Sequence, residues 1–192
     1  MKRQTAALAL CTVFVSGCGS STKTHYYTLE TTPPVVVAAE IKRAQPIGIA
    51  IASLTLPELV DRQQLVLRIG DTQVLINDQH HWGQPLKSEI TRSLAASLAR
   101  ETGAQVTVPG QAHADDSEIK LVIDFLRFDS VLGGDATIEA NWNVLRKGVK
   151  QAVGGHAVVR EASNGADYDA LVAAHRRALE RLGSDIAATL KP

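Results

Sequence analysis

Cys18 is the residue of this sequence best placed for covalent chemistry. It ends the run Val15-Ser16-Gly17-Cys18, an aliphatic residue and two small ones before a thiol. Upstream, Lys2 and Arg3 give a positive start, and Ala6 to Val15 is apolar and uncharged. Small side chains at 16 and 17 let a peptidase close on the bond before Cys18. The apolar run falls short of the roughly 20 residues a helix needs to span a bilayer, so it reads as a leader that is removed. Cys11 is a poor rival, because Leu10 is too large for the cleavage position.

The run at 15–18 resembles the lipobox of bacterial lipoproteins, which implies a diacylglyceryl thioether on Cys18, cleavage before it and acylation of the amine so released. On that reading residues 1–17 are a signal peptide, 18–25 a lipidated tether and 26–192 a single domain. Gly19 follows the cysteine where an aspartate would favour retention in the inner membrane, so the anchor is expected in the outer one.

Elsewhere the chemistry thins out. No Gly-x-Ser-x-Gly, Gly-x-x-x-x-Gly-Lys, Gly-x-Gly-x-x-Gly or His-Glu-x-x-His run occurs. Asp78-Gln79-His80-His81 has the residue types of a metal site, but adjacent histidines in an extended segment diverge, and a solvated loop is expected. His175 falls on an apolar helical stripe and reads as a core histidine. Asp115-Asp116 reads as a loop tip, and Asp61-Arg62 as a local pair or turn. Trp82 and Trp142 read as core anchors, with an interface role kept open for Trp82 because its neighbours are polar.

Lys2 and Arg3 leave with the leader, so 20 basic residues become 18 against 20 acidic ones, formally −2. That balance does not suggest nucleic acid as a partner. Cys11 is lost and Cys18 is consumed by lipid, so the mature chain has neither a free thiol nor a disulfide to staple its fold. No cofactor is called for.

The elements follow from periodicity. Alternating or apolar runs at 26–29, 47–54, 65–69, 73–76, 106–108 and 119–128 read as strands, and 77–83 as a polar loop. In 119–128, Ile119, Leu121, Ile123 and Phe125 are expected on one face, with Val122, Leu126 and Phe128 on the other. Val35 to Ala38 reads as loop or weak strand. After Gly133-Gly134, residues 136–146 alternate cleanly. Ala136, Ile138, Ala140, Trp142 and Val144 share one face; Thr137, Glu139, Asn141 and Asn143 share the other. Residues 151–160 return as a third antiparallel strand. Two helices are expected. One follows Pro85 with Leu86, Ile90, Leu94 and Leu98 at spacings of four. The other is capped by Asp167 or Asp169 and carries Leu171, His175, Leu179, Leu182, Ile186 and Leu190. The class predicted is α/β in the broad sense (α+β), with two helices on a single mixed, largely antiparallel sheet.

Several runs in this order resemble the PqiC family, auxiliary lipoproteins of ABC-type and MCE-type transport systems. They are Tyr26-Tyr27-Thr28-Leu29 soon after the lipobox, Leu56 to Arg62 followed by Gln64 to Arg68, His81-Trp82-Gly83-Gln84-Pro85-Leu86, Arg127-Phe128-Asp129 with Gly133-Gly134 and Ala140-Asn141-Trp142, and the final helix. The sequence departs from the family pattern at Gln63 and His81, where proline and arginine are frequent. The resemblance implies a periplasmic domain on the outer membrane that works with an inner-membrane MCE protein in lipid transport, with no reaction of its own. It leaves room for a ring of identical subunits. The partner face is expected on the half-polar strand, at Glu139, Asn141 and Asn143, or near Trp82. The alternative is an outer-membrane lipoprotein that regulates an envelope enzyme or assembly machine.

Overall fold

The computed structural model describes residues 23–30, 48–111, 114 and 117–190. Cys18, Val35 to Ala38 and Asp115-Asp116 lie outside the described residues. The elements run β1 (His25–Tyr27), β2 (Gly48–Thr55), β3 (Gln64–Arg68), β4 (Val74–Trp82), α1 (Leu86–Thr102), β5 (Gln105–Thr107), β6 (Ile119–Ser130), β7 (Asp135–Arg146), β8 (Val153–Ala162) and α2 (Tyr168–Leu190).

The α+β class with two helices is as expected, but the strands divide over two sheets rather than one. A three-stranded sheet has the order β1-β4-β3, and a five-stranded sheet the order β5-β2-β6-β7-β8. Both are mixed. β1 runs parallel to β4, and β2 parallel to β5 and β6, while β3–β4, β6–β7 and β7–β8 are antiparallel. The division has a local cause. Pairing of β2 with β6 stops at Thr55 and Asp124, and β6 then bulges at Leu126. A bulge bends its strand and breaks the ladder. β3 therefore meets the far half of β6 through side chains, with Arg68 Nη2 2.9 Å from Asp129 Oδ1.

The bulge also corrects the alternation read along β6. One extra residue shifts which side chains face inward, so Phe128 joins Phe125 in the core at 3% exposed, while Leu126 turns out to 48%. β2 carries the same device at Ala52, which returns Leu54 to the buried side of Ile51. A second correction concerns 77–83. The segment is strand through Trp82, because β3 pairs with Asn77 and His81 and β1 with His80 to Trp82, while the polar side chains of the bulge between stay at least partly in solvent.

Both helices lie on one face of the five-stranded sheet, α1 over β2 and β5 and α2 over β7 and β8. Leu86, Ile90, Leu94 and Leu98 of α1 and the whole predicted stripe of α2 are buried. Asp167 Oδ1 accepts the Ala170 N–H at 2.7 Å and caps α2. Gly103, at φ 67°, ends α1 in the left-handed conformation, its N–H bonding the Ala99 carbonyl.

The helices cross at Gly183. A Cβ there would lie 2.4 Å from Ser97 Oγ and 2.8 Å from Ser97 Cβ. Alanine is the better helix former by about 1 kcal/mol, but overpacking costs roughly 1–3 kcal/mol. Gly183→Ala is thus expected to lower the urea midpoint, and adding Ser97→Gly to restore most of it. A more stable single variant would mean that the helices do not meet there.

Candidate functional site

β7 presents its two predicted faces as expected. Ala136, Ile138, Ala140, Trp142 and Val144 are buried beneath the helices. On the outward side Thr137 is buried, Glu139 and Asn141 are half-buried, and Asn143 is exposed. The register sets Glu139 between Arg127 of β6 and Val158 of β8, and Asn141 between Asp124 and His156. Glu139 Oε2 is 3.7 Å from Arg127 Nε, and its Oε1 is 3.2 Å from His156 Nε2. Arg127 continues to Asp129 at 3.6 Å, and Asp129 to Arg68. Exposed pairs of this kind contribute at most about 1 kcal/mol each to folding. These charges alternate across three strands, beside the amides of Asn141 and Asn143 and the half-exposed Leu126 and Val158, on the face where a partner surface is expected.

Trp82 has no free face for that purpose. It is 4% exposed, with its ring edge-on to Phe128 at 6.3 Å. Its indole is a core anchor at the junction of the two sheets. Trp142 is one too: its Nε1–H donates to Thr189 Oγ1 at 3.1 Å, and Gly155 of β8 makes room for the ring.

The histidines separate. His80 stacks on Tyr168 at 3.6 Å and on His25 at 5.2 Å, and its Nδ1 lies 2.7 Å from Tyr27 Oη. His81 meets Tyr26 edge-on. Burial, then the neighbouring His25 and His81, lowers the pKa of His80. Burial, then Asp169, Tyr168 and Asp167, raises that of Tyr27. Among the described residues no three histidine, cysteine or acidic side chains are grouped to hold a metal. Asp61 lies in the turn after Pro57, its N–H donating to the Pro57 carbonyl at 3.2 Å.

His175 has a partner that periodicity did not reveal. Its Nε2 is 2.7 Å from Ser130 Oγ, and its ring stacks on Phe128 at 4.1 Å. The pair has the elements of a nucleophile and base, but Ser130 is 4% and His175 1% exposed, and Nδ1 faces no acid. Neither solvent nor substrate reaches it in this conformation. Burial lowers the His175 pKa to about 3. The pair joins α2 to the end of β6.

Glu89 likewise does more than complement a helix end. Its buried Oε2 accepts Thr28 Oγ1 at 2.9 Å and the Leu29 N–H at 3.1 Å, clamping the chain just after β1. Glu89→Ala leaves the buried Leu29 N–H unpaired and is expected to cost about 1–3 kcal/mol in urea unfolding, with Glu89→Gln costing less. Equal losses in the two variants would show that the acceptor is not what matters.

A family model described as ABC-type transport auxiliary lipoprotein component matches residues 27–187. No curated protein matches the chain. Among solved structures, an uncharacterised protein is 17% identical, with a TM-score of 0.72 over 88% of this chain and 99% of that one. A protein of Xanthomonas campestris is 20% identical, with a TM-score of 0.63 over 87% and 96%. At these identities the likeness is one of fold.

Proposed function

Because the chain belongs to the family of ABC-type transport auxiliary lipoprotein components, we propose that it is anchored by lipid on Cys18 to the periplasmic face of the outer membrane. There it serves, without catalysing a reaction, an MCE-type system that moves lipid between the membranes and maintains membrane integrity. Residues 1–17 are the leader, 18–25 the tether, and 26–192 the domain that meets the partner, alone or as a ring of identical subunits. The observation that carries the docking role is the outward face of β7, where Glu139, Asn141 and Asn143 stand in a polar row on a sheet whose other face is taken by both helices. Trp82 is left out of the docking surface, because its indole is buried.

A photo-crosslinking residue at Asn141 or Asn143, activated in cells, tests the reading. An adduct with an inner-membrane MCE-domain protein is expected. An adduct with a cell-wall synthase or an assembly machine in its place would overturn the transport role and favour a regulatory lipoprotein.

A further inference from the structure

We infer that the end of the domain formed by the β3–β4 and β6–β7 hairpin turns rests on the phospholipid surface that holds the anchor. The inference rests on the lipid-anchor reading and adds which part of the domain touches the membrane.

The strands set the direction. β1 is parallel to β4, with His25 opposite His80. The chain leading back from His25 toward Cys18 therefore departs on the side where β4 begins. β4 starts at Val74, six residues before His80, but it bulges between Asn77 and His81, where β3 takes a single step, and so it overhangs β1 by about 10 Å. Seven peptide links separate Cys18 from His25 and span at most about 25 Å. The tether is thus long enough to reach past the overhang on the side where β4 begins, and short enough to keep the β3–β4 turn close to the lipid.

The surface at that end suits such a contact. Ile69 is 59% exposed, Leu75 44% and Ile76 38%. Leu75 and Ile76 are consecutive and lie on opposite sides of their strand, so neither side of the hairpin is fully covered there. The Arg68–Asp129 ion pair sets the β6–β7 turn beside it, and that turn exposes Val131 and Leu132 as well. Arg68 is already engaged by Asp129 and by the Asp71 carbonyl, and Asp71 and Asp135 stand at the two turns. Contact at this end is therefore by shallow apolar insertion, and neutral phospholipid suffices.

The mature chain has no other thiol, so a single introduced cysteine can carry a fluorophore. Thr72→Cys lies in the β3–β4 turn. Lys150→Cys follows the opposite end of the β6–β7 pair, where Ile119 meets Arg146. The lipidated chain is reconstituted in phosphatidylcholine vesicles containing a headgroup-labelled quencher, and mass spectrometry establishes acylation of Cys18. Quenching at position 72 is expected to exceed that at 150 by roughly threefold or more, with little effect of salt. Ile69→Asp with Leu132→Asp should abolish the difference while leaving the circular dichroism melt unchanged. Equal quenching at the two sites on acylated protein would overturn this inference alone. A bare Cys18 would overturn the anchor reading and this inference with it.

Discussion

Cys18→Ala is expected to empty the outer membrane of this protein. Without the thiol no thioether forms, and the processing that follows from it stops. Mass spectrometry should find the wild-type chain beginning at an acylated Cys18 and the variant keeping residues 1–17. The effect is large because each buried CH₂ contributes about 0.8 kcal/mol, so that one acyl chain binds reversibly while two or three hold nearly permanently. Without them the variant has only its uncleaved leader in place of the lipid that would hold it in the outer membrane. The domain itself should be untouched. A form from residue 23 onward keeps β1 and every later element and is expected to melt as the anchored form does. Recovery of the variant in the outer membrane at the wild-type level would refute the anchor.

The second expected result is a loss of stability on mild acidification that His175 causes. In the unfolded chain this imidazole titrates near 6.5, whereas burial lowers it to about 3 in the fold. Between those values the unfolded state binds a proton that the folded state does not. Stability therefore rises with pH across this window and falls as pH drops from 6.5 toward 3. The slope approaches about 1.4 kcal/mol per pH unit, which removes about 2 kcal/mol by pH 5. His80, also shifted down, adds a smaller effect of the same sign.

Urea unfolding at pH 7.5 and pH 5 measures the loss. The double variant Ser130→Ala with His175→Phe removes both members of the buried pair, so no orphaned hydroxyl is left behind and its stability at pH 7.5 should be near that of the wild type. Between the two pH values it should lose about 2 kcal/mol less than the wild type. An unchanged pH dependence would mean that His175 is not the group that titrates.

The same histidine shows where reading a sequence stops. Its place on the apolar stripe of α2 follows from spacing, and the burial of that stripe was foreseen. Its partner Ser130 lies 45 residues away, and no local pattern links the two. Glu89 is similar. Its position near the helix start is a matter of spacing, but its grip on Leu29 across 60 residues depends on where β1 lies.

Local regularity explains most of what could be read directly. Helix spacing depends on residues three and four apart, and strand alternation on residues two apart. The bounds of α1 and α2, the β6–β7–β8 hairpins and the two faces of β7 were therefore legible. The candidate docking residues Glu139, Asn141 and Asn143 came from that alternation. Trp82 was ambiguous, because a polar neighbourhood in sequence says little about burial in space.

What the chain determines by itself, then, is whatever neighbouring side chains decide: a thiol after two small residues, an apolar stripe, an alternating strand. Only the tertiary structure decided that the strands form two sheets, that Asn77 to Trp82 are strand, with β3 paired at Asn77 and His81 and β1 at His80 to Trp82, and that single-residue bulges turn Leu126 outward and Phe128 inward. Each of these rests on backbone hydrogen bonds between distant segments. Such bonds form wherever a partner strand is available and leave little trace in side-chain order.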